Sequence, residues 1–217
     1  MSDAIAPHEA AALPEGFLEA VGANPDRCGE IEAYRLMLAA ANAQMNLVGA
    51  STLGDFWRRH FIDSAQLAWF APAARVWADL GSGAGLPGII LAILMKDRAG
   101  GRVHLVESMA KRARFLSDVA AALDLPVTLH NARAESLKLT VEVVTARACA
   151  PLTRLLEFAE PYMARGARGL FLKGRGVDAE IADARAVWRF NAEKRASLSD
   201  SHGRVLLVTE LARAERR

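Results

Sequence analysis

The sequence predicts an α/β fold: a doubly wound, mostly parallel sheet of seven strands behind a small helical N-terminal cap. Three observations predict it. Beyond Pro72, β-favouring apolar runs alternate with helical stretches, and repeated strand–helix alternation means parallel pairing through right-handed crossovers. Residues 75–95, RVWADLGSGAGLPGIILAILM, read as a strand, a glycine loop and the start of a helix. Before Pro72 the apolar residues recur at helical spacing instead. The expected organisation is a helical cap over 1–72 and a sheet domain over 73–217, packed as one body.

Taken in order, residues 1–14 read as loose and polar. The opening MSDAIAPHEA lacks the basic stretch and apolar core of a secretory leader, so none is expected. A short helix fits 16–21, and Asp26 is the expected cap of a helix over 30–44, where Ile31, Tyr34, Leu38 and Ala41 share a face. Residues 45–54 read as a connection and 55–70 as one helix, with Phe56, Phe61, Ile62, Ala65 and Trp69 turned inward. Strands are expected at 74–80, 102–107, 126–130, 141–147 and 168–173, and helices at 87–96, 109–123, 151–163 and 178–190. Residues 195–211 hold two short strands around the turn signal Asp200-Ser201-His202-Gly203, a terminal hairpin. Arg213, Arg216 and Arg217 read as a frayed tail.

The composition suits this plan. With 217 residues, 52% hydrophobic and 24% charged, the chain can bury one sizeable core with an appendage. A net charge of +2 is too mild to indicate nucleic acid by itself, so any such surface must be local. Cys28 and Cys149 form no C-x-x-C pair and read as reduced thiols of a cytoplasmic protein. The longest apolar run, 89–95, falls far short of the roughly 18 residues that span a bilayer. The histidines and cysteines lack metal-ligand spacing, so no metal is expected.

Ligands of doubly wound sheets bind outside the carboxyl ends of the strands, at the switch point. That directs attention to the glycine loop, to Glu107-Ser108, and to the stretches 131–135, 147–151 and 173–175. A loop opening a helix offers free N–H groups and the positive end of a dipole to a polar ligand. The loop ends Leu86-Pro87-Gly88, not Gly-Lys-Ser/Thr, so it is not a phosphate-binding P-loop. Residues 83–88 satisfy the dinucleotide pattern G-x-G-x-x-G. The run Asp79-x-Gly81-x-Gly83-x-Gly85 resembles the first motif of class I S-adenosylmethionine (SAM) methyltransferases, whose glycines let the cofactor's methionine part lie against the backbone. Glu107, directly after the second strand, suits a ribose diol in either case; its plain alternative is a solvated strand end.

The resemblance becomes specific when several blocks are taken together: Asn46-Leu47, RHFIDS at 59–64, DLGSGAGLPGIILAI, LVES-x-x-KR-x-x-FL, NARAE at 131–135, Ala146-Arg147-Ala148 and Leu172-Lys173-Gly174. In this order they resemble the RsmG/GidB family of small-subunit rRNA guanine-N7 methyltransferases, across some two thirds of the chain. The resemblance implies a class I SAM-dependent, Rossmann-like fold. It implies methylation at N7 of one guanine in the 530 loop of 16S rRNA, with SAM as donor, S-adenosylhomocysteine as product, and rRNA or the 30S subunit as partner of a monomeric enzyme. It places SAM contacts at Gly81, Leu86, Glu107, Ala134, Glu135 and Arg147, with Asp79, Gly83 and Gly85 in the same loop; Ala134 and Glu135 would hold the adenine. Asn46, Arg59, His60, Asp63, Arg133 and Lys173 fall where members keep polar residues around the pocket and RNA face. Departures occur at Ala41-Asn42 and 45–48, where members carry an aromatic-Asn pair and a Tyr-Asn-Leu-Thr block, and at Ala146, commonly serine.

Guanine N7 has an in-plane lone pair and no proton, so methyl transfer to it asks for positioning and desolvation more than for a general base. The chain agrees, carrying no N-P-P-Y-like block and no Pro-Cys nucleophile. Arg147 and His60 are the candidates for positioning the reacting groups. His60 can equally be a hydrogen-bonded structural residue; Asp63, three residues on, could orient its imidazole or Arg59. Arg147 could instead pair with Glu135 or Asp79, and Arg133 has the same choice between phosphate and ion pair. Cys149 reads as a small buried residue. Arg58, Arg59, Lys111, Arg112, Arg114, Lys173 and Arg175 gather near the expected mouth and would position RNA by phosphate contact; Lys111 to Arg114 are otherwise a solvated helix face. Three alternatives stand beside this reading: a methyltransferase on another RNA or small molecule, an NAD(P)-binding oxidoreductase, and a non-catalytic RNA-binding module.

Overall fold

Pro25 sets the start of the longest helix, because its fixed φ suits a first helical turn and it has no N–H to leave unsatisfied. In the computed structural model, which describes residues 14–214, the cap begins with α1 (Phe17–Ala20) and α2 (Pro25–Met45). Asn24 rather than Asp26 caps α2, its side-chain oxygen accepting the Arg27 N–H at 3.0 Å, so the helix starts earlier than its apolar spacing suggests. A short α3 (Ala50–Leu53) lies inside the expected connection. The expected single helix over 55–70 is two pieces, a π-helical turn over Trp57–Ile62 and α4 (Asp63–Phe70). Such wide turns recur at functional sites. This one puts the rings of Phe56 and His60, and of Trp57 and Phe61, in contact at 5.8 and 5.3 Å. The stretch read as loose, apart from Pro14, and Arg216 and Arg217 lie outside the described residues.

The α/β part follows in order: β1 (Val76–Leu80), α5 (Gly88–Met95), β2 (Arg102–Val106), α6 (Ala110–Ala122), β3 (Val127–His130), a 3-10 turn over Ala134–Ser136, β4 (Val143–Arg147), α7 (Leu152–Met163), β5 (Arg168–Lys173), α8 (Val177–Arg185), β6 (Trp188–Ala196) and β7 (Arg204–Arg213). The seven strands form one sheet in the order β3-β2-β1-β4-β5-β7-β6. The first five strands are parallel, with Val76 opposite Arg102 and Val143 opposite Arg168 in register. Strand β7 inserts antiparallel between β5 and β6. The chain winds outward from β1 to β3 and returns to β4, so β1 and β4 flank the switch point.

The helix expected over 178–190 stops at Arg185, and residues 188–190 belong to β6 instead. Period two wins there: Trp188 and Phe190 turn inward while Arg189 and Asn191 face out. Arg213 is not frayed, since its guanidinium stacks 4.2 Å over the Trp188 ring and pairs with Glu157 at 3.6 Å. The helices bury both faces of the sheet. On one, Phe17, Ile31, Tyr34, Leu38, Phe61 and Leu67 of the cap share a core with Trp77 and all of α5. On the other, Ala78 and Leu80 of β1 pack with Leu155, Tyr162, Phe171 and Trp188. The cap and the sheet are thus joined by a common apolar core.

Gly88 is where α5 meets the sheet most closely. A Cβ there would lie 2.3 Å from Leu105 Cδ2 and 2.6 Å from Asp79 Oδ2. Overpacking of this kind costs about 1–3 kcal/mol. Gly88→Ala should therefore lower the unfolding free energy by that amount, read as a lower urea midpoint at an unchanged m-value, whereas Gly174→Ala, with open space around it, should not.

Candidate functional site

The loop after β1 turns through three left-handed glycines, Gly81, Gly83 and Gly85, with φ of 66°, 54° and 94°. Its two ends are pinned. Ser82 Oγ donates to the Asp79 carbonyl at 2.9 Å and accepts the Val106 N–H at 3.1 Å, tying the loop to β2. Asp79, fully buried, accepts the Gly88 N–H on Oδ2 at 3.0 Å, while its Oδ1 has no partner among the described residues. Burial pushes this carboxyl up to about 7, against the Gly88 hydrogen bond. From behind, the buried Tyr34 hydroxyl donates to the Ala84 carbonyl at 2.8 Å, linking α2 to the loop.

Glu107 is 4% exposed and serves the same loop. One carboxylate oxygen accepts the Gly83 N–H at 2.9 Å and the other the Met109 N–H at 2.7 Å. It is a fixed acceptor and not a solvated strand end. Beyond β3, the 3-10 turn is held by the Tyr162 hydroxyl, which donates to the Ala134 carbonyl at 3.0 Å. A cavity of about 90 Å³ opens here between Gly81, Val106, Ala132, Ala134, Glu135 and Phe158.

The end of β4 carries the second half of the site. Nη1 of Arg147 donates to the Arg59 carbonyl at 3.1 Å, to His60 Nδ1 at 3.0 Å and to Asp63 Oδ2 at 3.4 Å. Its ion pair is therefore with Asp63 of the cap, and neither Glu135 nor Asp79 takes it. Because Arg147 can only donate, Nδ1 of His60 must accept, and Nε2 carries the proton toward Thr52 Oγ1 at 2.9 Å. Thr52 in turn donates to the Gly49 carbonyl at 2.7 Å. Burial first and Arg147 next push the His60 pKa down to about 4. His60 is thus a neutral link whose two ring nitrogens are both engaged. Asp63 orients neither Arg59 nor the imidazole; it accepts the Ser199 hydroxyl at 2.7 Å and Gln66 Nε2 at 3.1 Å, fastening the cap to the hairpin loop. Burial raises its pKa, against these donors.

Two further cavities adjoin Arg147. One of about 730 Å³ runs between the β4 and β5 ends and is lined by Asp63, Arg147, Cys149, Lys173, Glu180 and Asp200 among others. One of about 290 Å³ lies toward the cap, lined by Thr52, Arg58, Arg59, His60, Asp63, Arg147, Ser199 and Asp200. Cys149 is half-buried rather than buried, and its Sγ would sit 2.6 Å from a Cβ on Gly81, so only glycine lets the two loops approach this closely.

The family model described as GidB, rRNA small subunit methyltransferase G, matches residues 27–208. The chain belongs to this family. It is similar to the "Ribosomal RNA small subunit methyltransferase G" of Caulobacter vibrioides, 56% identical over 210 residues and covering 97% of each chain. The protein of that name from Rhodospirillum rubrum is 45% identical over 203 residues, 93% of this chain and 99% of the relative. Among solved structures, a SAM-dependent methyltransferase from Aquifex aeolicus shares the fold, with a TM-score of 0.52 at 14% identity over 70% of this chain and 92% of that one. As a GidB member the chain is a SAM-dependent methyltransferase.

The residues present fit that cofactor. The unpartnered Asp79 Oδ1 and the bare backbone at Gly81 and Gly83 leave polar groups without side chains in the way. One Glu107 oxygen spends a lone pair on Gly83 of the loop and the other on Met109, and each keeps another for a diol. The cavity at Ala134 pairs apolar walls with the Glu135 carboxylate, as a purine with an exocyclic amine requires. The structure thus gathers Asp79, Gly81, Gly83, Gly85, Leu86, Glu107, Ala134 and Glu135 along the β1, β2 and β3 ends, and Arg147 with His60 and Arg59 beside the cap. Lys173 is turned inward, donating to the Ala150 carbonyl at 3.1 Å and pairing with Glu180 at 2.7 Å, so it braces the loop after β4. Asn46, at φ 48°, forms the left-handed C-cap of α2. Lys111, Arg133 and Arg175 are exposed and Arg112 half-buried. Thr52, Ser199, Gln66 and Glu180 are not singled out by sequence: Ser199 and Gln66 find partners on distant elements, and Thr52 and Glu180 reach His60 and Lys173 on neighbouring ones.

Two groups should tune stability in opposite directions. A neutral His60 with its folded pKa near 4, below the ordinary 6.5, contributes stability that is present above 6.5 and lost as the pH falls toward 4. Asp79, raised from 3.8 to about 7, contributes stability present below 3.8 and lost as the pH rises through 7. In melting experiments the deficit of His60→Gln against the parent should shrink from pH 7 to pH 4. Asp79→Asn should gain on the parent over the same range as the pH rises, while losing SAM affinity.

Proposed function

We propose that this enzyme methylates N7 of a single guanine in the 530 loop of 16S rRNA, acting as a cytoplasmic monomer on the small subunit or its assembly intermediate. One observation carries the choice of N7: the histidine at the mouth, the side chain suited to take a proton near neutral pH, is already committed. Both ring nitrogens of His60 are bonded, and the neighbouring Asp63 accepts from Ser199, Gln66 and Arg147. An exocyclic amine or a hydroxyl would need a base there. Guanine N7 does not, since its lone pair lies free in the ring plane.

When bound, SAM supplies an electrophilic methyl group on a sulfonium. Asp79, Gly81, Gly83, Gly85 and Leu86 would hold its methionine part, Glu107 its ribose, and Ala134 with Glu135 its adenine. The remaining residues position the base and exclude water, which in-line transfer to a ready nucleophile asks of the protein. The 730 Å³ cavity is the place for the guanine. It reaches Cys149, which also borders the cavity at Ala134, so base and cofactor would meet across the Gly81–Cys149 contact. Arg147, fixed by three acceptors at 3.0–3.4 Å, stands at its entrance. Lys111, Arg112, Arg133 and Arg175 then serve the RNA backbone without reading sequence.

With labelled SAM and 30S subunits, naked 16S rRNA or unrelated RNA, N7-selective strand scission should map one modified guanine in the 530 loop. Label elsewhere, or none in any of these RNAs, rejects the substrate. Glu135→Ala should raise the SAM dissociation constant roughly tenfold, the scale of a lost hydrogen bond to a charged group. Arg147→Ala should lower RNA affinity and kcat while leaving SAM affinity within about threefold, because its contacts are with the cap.

A further inference from the structure

The 290 Å³ cavity between the cap and the hairpin loop adds Thr52, Arg58, Arg59, His60 and Ser199 to three residues it shares with the larger cavity. Three arginines line it. Arg58 donates through Nε to the Ser199 carbonyl at 3.1 Å, which leaves its two terminal nitrogens unbonded among the described residues. Arg59 is exposed, and its side chain has no hydrogen bond or ion pair among them. Arg147 commits Nη1 to the cap and keeps Nη2. His60 adds no charge, being held neutral between Arg147 and Thr52. Against the three guanidiniums stand two carboxylates. Asp63 is taken up by Ser199, Gln66 and Arg147, and Asp200 accepts the His202 N–H at 2.8 Å. The balance is a net positive charge in a concave, half-enclosed site with several free planar donors, the arrangement that matches a phosphate.

Its position narrows the ligand. This cavity and the 730 Å³ one share Asp63, Arg147 and Asp200. A phosphate in the first is therefore covalently within reach of a base in the second. We infer that the cavity lined by Arg58, Arg59 and Arg147 is a subsite for the RNA phosphodiester adjoining the target guanine. This rests on the guanine reading above. The subsite draws the target nucleotide out of its stack by its backbone, and Thr52 with His60 keeps Arg147 aimed between phosphate and base.

The test measures binding of 16S rRNA fragments spanning the 530 loop as a function of salt, for the parent, Arg58→Ala, Arg58→Lys and Arg59→Ala. SAM affinity serves as the check that each variant folds. Each alanine variant should weaken RNA binding roughly tenfold at low salt and make log K against log salt shallower by about one unit. Arg58→Lys should keep the slope. A neutral methylphosphonate placed singly at each phosphate flanking the target should weaken the parent at one position, with no further loss in Arg58→Ala at that position. An unchanged slope in both alanine variants, or additive losses at every phosphate, overturns the subsite. Inorganic phosphate at constant ionic strength forms the second arm. Competition with RNA that disappears in Arg58→Ala is expected, whereas saturable phosphate binding with no effect on RNA marks a free-anion site and also overturns it. The guanine mapping assay stands apart: methylation at the expected guanine with an unchanged slope sinks the subsite alone, and methylation elsewhere sinks the substrate.

Discussion

Asp79 sits at the end of β1 with no exposed surface, and one of its oxygens accepts the first N–H of α5 at 3.0 Å. That bond decides where the glycine loop ends and the helix begins. It is possible because Gly88 has no Cβ, and it is costly because an ionised carboxyl in an apolar core loses its hydration. The carboxyl consequently titrates near 7. Its second oxygen, unpartnered among the described residues, is what the core sacrifices for binding. A buried acceptor left open beside a cofactor loop is expensive in the free protein and becomes useful when a donor arrives.

A second constraint couples the cap to the sheet through charge rather than through apolar packing. Arg147 at the end of β4 is anchored on backbone and side chains of the π-helical turn and α4. The turn brings the Arg59 carbonyl, the His60 ring and the Asp63 carboxylate to one guanidinium, although they occupy three different positions along the helix. The same stretch grips the hairpin loop through Asp63 and Gln66, whose amide oxygen accepts the Leu198 N–H at 2.8 Å. The wall beside Arg147 is therefore assembled from the cap and the hairpin loop around one residue of the middle of the chain.

Much of this was legible in the sequence, and the misses share a cause. The strand–helix alternation and the glycine loop are legible because local pattern and global placement coincide there, whereas Glu107 is settled as a buried acceptor only by its bonds to Gly83 and Met109. The N-terminus of α2 was misplaced because Asp26 and Asn24 are both good caps, and Pro25 between them decides. Residues 188–190 read as helix because Trp188 fits either period until the partner strand is known. At the site, Asp63 looked like a partner of His60 at helical spacing; the partner is Arg147, 84 residues away. Lys173 looked like an RNA contact because its charge is visible, and its ion pair with Glu180 is not. Loop ends and motif glycines are local facts. Charge pairing is a tertiary one.

The distribution of charge matches what the proposed N7 methylation asks for. Transfer of a methyl cation to a neutral guanine leaves the base positively charged, whereas its flanking phosphate stays negative throughout. The two cavities around Arg147 differ in the matching sense. Toward the cap, three arginines face two carboxylates. Toward β5, Asp63, Glu180 and Asp200 face Arg147 and Lys173, a net negative wall for a base that becomes cationic. Asp63, Arg147 and Asp200 belong to both and the Lys173–Glu180 pair is neutral, so the difference comes from Arg58 and Arg59 alone. Under the proposed N7 reading no proton transfer is needed, so a histidine held neutral between Arg147 and Thr52 leaves the fixed charges for placement alone.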